Sequence, residues 1–216
     1  MLYDHFKFYA ILYLIAKFYI PEKWDIFTRL VSTYNALYCV TSVITVSLSN
    51  WWNPQYYPLN HIYYVPSENA VEALYSFAGY LLVDGIFSLY TTSNWSTNDF
   101  LMALHHLFGF WGIWTLAELR MGYFLAYYFA LTELSTPALN WSWWRRDKTS
   151  FQIFFTIFVI SRIVTLPWLW NFLSSNSIYL SYHSYLQQFL AYGASSLIAI
   201  LNLTWTVALA AKMMEF

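Results

Sequence analysis

Of 216 residues, 59% are hydrophobic and only 10% are charged, against roughly 25% charged in an average soluble domain, so too little polar surface remains to solvate a globule. Ten Lys and Arg against eleven Asp and Glu leave no basic face for phosphates, which excludes nucleic acid as a partner. The single cysteine, Cys39, excludes an internal disulfide and a thiolate-rich metal site, so stability has to come from helices packed in lipid.

Apolar runs of the ~20 residues needed to cross ~30 Å of hydrocarbon recur along the chain. A weaker one at 6–20 ends at Lys17 and Pro21 without a small-residue cleavage signature, and reads as a retained membrane helix within a first unit, 1–22. Six stronger runs follow at 26–48, 70–92, 100–117, 121–139, 151–173 and 185–211, in a second unit, 23–216. The fold class expected is therefore all-α, a polytopic membrane protein of about seven transmembrane helices. Trp24, Trp51, Trp52, Trp95, Trp141, Trp143 and Trp144 crowd the segment ends, where an indole keeps its N–H wet in the headgroup layer; the competing explanation is the general aromatic bias of a chain that is 23% Phe, Trp and Tyr.

With seven spans, Lys17, Lys23 and Arg29, then Arg145, Arg146 and Lys148, then Lys212 fall on one side. The positive-inside rule makes that side, with the C-terminus, cytosolic. The opposite side holds only Lys7 and Arg120. The acceptor-type triplets at Asn94 and Asn140 then face the cytosol and stay unmodified; a glycan on either reverses the orientation.

Asp84, His105, His106, Glu133 and Arg162 sit well inside apolar runs, where an ionised group costs at least ~2.5 kcal/mol and needs a partner or a watery cavity. Counted from the cytosolic helix ends at 1.5 Å per residue, Asp84, His105 and Glu133 lie roughly 10 to 14 Å deep, and Asn35 and Asn202 about 9 to 15 Å. Three helices thus bring titratable groups to one layer. Adjacent helical positions differ by about 100 degrees, so one histidine is expected to face the cavity while its neighbour bonds another helix. Pro137 removes the amide that would bond the Glu133 carbonyl, and Pro167 does the same to Ile163, so kinks are expected at both places, with Ser135 and Thr136 able to meet the freed backbone groups. The bland alternative is an interhelical polar clamp, in which Asp84 or Glu133 pairs with Arg162 or a histidine. His5, His61 and His183 read as solvated.

Taken in order, Trp24 with Arg29 and Ser32, Asp84, His105-His106, Glu133-Leu-Ser-Thr-Pro137 with Asn140, Ser161-Arg162 with Pro167, and Asn202 with Trp205 resemble the TLC domain over nearly the whole chain. The Glu-x-Ser-Thr-Pro-x-x-Asn segment is more similar to the TLC-domain-containing branch than to the ceramide synthases. Those enzymes carry a further acidic motif after the double histidine that this chain lacks, and Asn35 stands where the family often has a histidine. The resemblance implies six helices around a tunnel for an acyl chain with the double histidine at its polar centre, and a lipid-metabolic role in the endoplasmic reticulum or a related membrane.

Two functions follow as expectations. The first is an acyltransferase acting on a membrane lipid with acyl-CoA as co-substrate. In it His105 or His106 is general base or transient acyl acceptor and Asp84 orients the ring, while Glu133, Ser135, Asn35, Arg162, Asn202 and Trp205 contact substrate. Arg145, Arg146 and Lys148 either meet the phosphates of acyl-CoA or only signal topology. The second is a non-catalytic lipid binder that regulates membrane phospholipid composition, which the absent acidic motif favours. No resident cofactor or metal is expected, since adjacent histidines on one helix diverge too far to share an ion. A retinal pocket is excluded by the lack of a lysine in the middle of the last span. Nothing in the sequence sets an oligomeric state.

Overall fold

The structure, a computed structural model, describes residues 1–51, 68–91, 96–119, 129, 131–175 and 184–215. Among them every regular element is helical: α1 (Leu2–Tyr19), a short 3₁₀ turn (Pro21–Lys23), α2 (Trp24–Trp51), α3 (Glu68–Thr91), α4 (Thr97–Leu119), α5 (Ser135–Arg145), α6 (Lys148–Val159), a π-helical turn (Ile160–Val164), α7 (Leu166–Ser175) and α8 (Tyr185–Met214). Residues 121–128 and 130 of the expected run at 121–139, together with Trp52, His61, Asn94, Trp95, Arg120 and His183, lie outside the described residues.

Local chemistry sets the helix ends. In α1, Asp4 in the first turn and Lys17 in the last oppose the helix dipole with the right signs. Ser96 and Asp99 form a reciprocal box at the start of α4, with Ser96 N–H donating to Asp99 Oδ2 at 2.9 Å and Asp99 N–H to Ser96 Oγ at 3.2 Å. Between α5 and α6 the chain turns through Arg146 at φ 51°, a left-handed position usually given to glycine. Asp147 then caps α6 by accepting from Ser150 N–H at 2.8 Å. That backbone bond holds its carboxyl below the usual carboxylate range.

Both prolines act as expected, by breaking helices. Pro137 cannot donate to the Glu133 carbonyl, so Thr136 N–H takes it at 2.9 Å, and Glu133 and Leu134 form a turn before α5. Ahead of Pro167 the helix widens into the π turn, which carries Ser161 and Arg162, both buried. Such π bulges sit where a helix is adapted to a site.

Packing traces a closed circuit: α2 lies on α3, α3 on α4, α4 on α8, α8 on α6, α6 on α5, and α5 back on α2, while α1 docks outside against α3. Glycines let α3 and α4 approach, because a Cβ on Gly109 would stand 3.1 Å from Leu81 and one on Gly85 would stand 3.2 Å from His106 Cβ. One apolar core joins Tyr9, Tyr13, Leu74, Phe77, Leu81, Val83, Ile113 and Ile198. A second joins Ala138, Phe151, Phe154 and Phe158 to Trp205 and Leu209. The outward faces are apolar too: Ile86, Leu89, Ile153, Ile160, Leu203 and Val207 are exposed, the surface a bilayer would cover.

Three helical stretches, Val71–Thr91, Lys148–Asn171 and Tyr192–Met214, are long and apolar enough to cross a membrane, and they coincide with expected runs. The runs at 26–48 and 100–117 fall within α2 and α4. In α4 the polar Asp99, His105, His106 and Glu118 dilute the apolar character.

Candidate functional site

A cavity of about 710 Å³ opens inside the circuit of helices. Its wall includes Asp84 from α3, His105 and His106 from α4, Glu133 and Ser135 at the break before α5, Arg162 from the π turn and Trp205 from α8. Seven of the nine side chains singled out in the sequence therefore share one wall.

His106 is the better anchored of the two histidines. Its Nδ1 lies 3.0 Å from Asp84 Oδ2 on the neighbouring helix. The approach is off the line of a well-directed hydrogen bond, so the carboxylate faces the ring nitrogen without gripping it. Tyr13 Oη donates to the other carboxylate oxygen, Oδ1. His105 stands edge-on to Trp205, with centroids 5.2 Å apart and planes at 79°. The two imidazoles are 5.6 Å apart at 66°, so they diverge as adjacent helical positions must, yet both reach the cavity wall. The expectation had one ring facing the cavity and its neighbour bonding another helix; instead both line the cavity, and His106 also contacts Asp84 of α3.

Gly85, beside Asp84, makes room for this pair. Gly85→Ala would push a methyl group toward His106 Cβ, 3.2 Å away. The expected result is an overpacking cost of about 1–3 kcal/mol, read as a lower Tm of the purified protein in a thermal-shift measurement.

The second half of the wall is a buried network centred on Arg162. Its Nε donates to Ser135 Oγ at 3.0 Å, its Nη1 to Asn202 Oδ1 at 3.0 Å, and its Nη2 stands 3.8 Å from Glu133 Oε1. Glu133 Oε2 also accepts from Thr136 Oγ1 at 2.9 Å, and Ser135 Oγ donates to the Thr132 carbonyl at 2.9 Å. The break before Pro137 is what turns Glu133 and Ser135 toward this guanidinium. Buried charges paired in this way are satisfied, and the loss of either leaves the other stranded.

Two named residues stand away from the wall. Asn202 is fully buried and acts through Arg162. Asn35 is also fully buried, but it accepts from Tyr9 Oη at 3.1 Å on the side facing α1. Asn35 shares Tyr9 with Ser76, about two helical turns from Asp84 on α3, so it belongs to the α1 seam rather than to the cavity.

Several wall residues escaped the sequence reading. Arg29, counted there as a topology signal and as part of the family motif but given no place in the site, lines the cavity, stacks over Trp143 at 4.1 Å and donates to Asn140 Oδ1 at 3.2 Å. Asn140 Nδ2 returns bonds to the Arg29 carbonyl at 3.0 Å, Ser32 Oγ at 2.9 Å and Thr33 Oγ1 at 2.8 Å. Thus the Arg29-x-x-Ser32 pattern and Asn140 form one clip between α2 and α5. Lys212 and Asp25 complete the charged part of the wall, whereas Arg145, Arg146 and Lys148 do not line it. Among the described residues no group of three His, Cys, Asp or Glu side chains is placed to hold a metal.

No curated protein and no solved structure matches the chain. The family model of the TLC domain matches residues 22–211, a stretch that includes the whole circuit from α2 onward apart from the last residues of α8. With helices of membrane-crossing length and apolarity, the chain belongs to the TLC domain family and is an integral membrane protein concerned with lipids.

Proposed function

We propose that this protein is a multi-pass transferase of the endoplasmic reticulum membrane that moves an acyl group from acyl-CoA to a membrane lipid. The observation that carries the reading is the Asp84–His106 pair, 3.0 Å apart, set in the wall of a cavity of about 710 Å³. That volume lies in the ~300–1,000 Å³ range typical of small-molecule pockets.

In this reading the six-element circuit is the lipid tunnel and α1 a seventh span, with the C-terminus cytosolic. The acyl chain lies along the apolar wall of Leu81, Phe154, Phe158 and Leu209. The His106 nitrogen turned away from Asp84 takes the proton of the acceptor hydroxyl or amine as that atom bonds the thioester carbonyl carbon. The C–S bond then breaks, and the departing thiolate takes the proton from the imidazolium. Asp84 stabilises the imidazolium between the two steps. His105, set against Trp205, borders the reacting carbonyl, and Glu133, Ser135 and Arg162 face the acceptor headgroup. Arg29 and Lys212 are the cavity-lining cations available to the phosphates of the donor.

The experiment is acyl transfer from labelled acyl-CoA to amine and alcohol lipids, with purified wild type and the His105→Ala, His106→Ala double variant in bilayer discs. Transfer by wild type, lost in the double variant, is the expected result. Absence of transfer from wild type that still retains lipid favours the second reading, a lipid binder that regulates membrane phospholipid composition. One feature already leans that way: Glu133 and Arg162 are committed to each other and to Ser135, Asn202 and Thr136, leaving fewer groups for an acceptor.

A further inference from the structure

The family match begins at Glu22, whereas α1 ends at Tyr19, so α1 lies outside the matched domain. Its inner face is nevertheless built into that domain. Tyr9 and Tyr13 are 1% and 0% exposed, among the most deeply enclosed large side chains of the protein. Tyr9 Oη reaches Asn35 Oδ1 and Ser76 Oγ, each at 3.1 Å, and Tyr13 Oη reaches Asp84 Oδ1. On α3, a Cβ at Gly79 would stand 3.1 Å from the His5 backbone carbon and from Phe6 N. Since backbone cannot swing aside as a side-chain tip does, that glycine is what lets α1 come close enough for a phenol to reach the carboxylate.

The Tyr13 ring is held on three sides. It stands edge-on to Trp24 at 5.6 Å and Phe27 at 5.7 Å, and it packs on Phe87 at 5.2 Å. Its hydroxyl is aimed as firmly as the helix that carries it, and it lines the same cavity as Asp84 and His106. By itself an aspartate carboxylate turns through a broad, roughly two-fold torsional well, and the off-axis His106 contact does little to fix it. With Oδ1 bonded to Tyr13, Oδ2 is left toward His106 Nδ1.

We propose that α1 is a working part of the site and that Tyr13 is a positioning residue. Its hydroxyl fixes Asp84 so that the carboxylate keeps the His106 proton on Nδ1 and leaves the other ring nitrogen unprotonated toward the cavity. The inference rests on the reading of Asp84 and His106 as the reactive pair. A tyrosine that merely fills space would be replaced by phenylalanine without consequence for the imidazole.

The test is nitrogen NMR of protein labelled at histidine, in bilayer discs, which reports which ring nitrogen carries the proton. The expected result is an Nδ1-protonated His106 in wild type. Tyr13→Phe should lose that bias and show a mixture of tautomers, while Tyr9→Phe, which cuts bonds to Asn35 and Ser76 only, leaves His106 as in wild type. An unchanged His105 signal certifies that Tyr13→Phe is folded. Should that variant not fold, difluorotyrosine at position 13 keeps the ring and alters only the donor, and a graded change in tautomer ratio is expected. A His106 tautomer indifferent to Tyr13→Phe or to difluorotyrosine, or moved equally by Tyr9→Phe, overturns the inference. If the tautomer responds but wild type transfers no acyl group, the transferase reading falls and the positioning role stands. If wild type transfers and the tautomer does not respond, only the positioning role falls.

Discussion

Arg162→Ala is expected to cost about 3–5 kcal/mol, the usual penalty for stranding one partner of a buried ion pair. Arg162 is 6% exposed and Glu133 7%, and within this network the guanidinium also donates to Ser135 and Asn202. Its removal leaves a carboxylate without its counter-charge and two acceptors short of a donor. Measured against a typical folding free energy of about 5–15 kcal/mol, the loss should appear as a large fall in Tm and in the monodisperse fraction on purification. Arg162→Lys should recover only part, because an ammonium is a point charge and cannot serve three separated acceptors as a planar fork does. Pairing Arg162→Met with Glu133→Gln should be much milder than Arg162→Ala, since neither charge is then left alone. This set of variants measures the clamp, and it should respond whether or not the protein catalyses anything.

The largest effect on activity is expected at His106. Loss of a positioned general base lowers a rate by about 10²–10⁴-fold, and His106→Ala should fall in that range while the protein keeps its fold. Asp84→Asn should follow in the same direction by a smaller factor, because the ring stays in the wall but its imidazolium loses the facing charge. His105→Ala should differ in kind. Its ring packs on Trp205 at 5.2 Å and, among the described contacts, faces no carboxylate as His106 faces Asp84, so its loss should change how the substrate sits, raising KM more than it lowers kcat. The split between the two histidines is read from initial rates over a range of acyl-CoA concentrations.

Much of this architecture was legible because a bilayer imposes simple rules on sequence. Apolar runs of spanning length had to be helices, and charged or imidazole groups inside them had to find each other or water. Asp84, His105, His106, Glu133 and Arg162 were conspicuous for that reason, and Pro137 and Pro167 announced their breaks through the amides they lack. What was not legible is azimuth and partnership. Asn35 and Asn202 do not line the wall, and a depth count carries no information about rotation around a helix axis. Arg29 looked like a topology signal because it stands near a segment end, while its cavity role depends on Asn140 and Trp143, more than a hundred residues on. Tyr13 was hidden among twenty tyrosines in a run whose charges made it the weakest apolar segment. Its importance appears only once Gly79 brings α1 onto α3.

The cavity belongs to a lipid in this account, and native mass spectrometry of the purified protein tests that directly. Wild type should carry one lipid of defined mass, and Ala208→Trp, which places a large ring at a cavity-lining position, should release it while the protein stays folded. Equal lipid retention by wild type and Ala208→Trp would contradict the account, for the lipid would then lie on the outer surface and the wall around His106 would have another purpose.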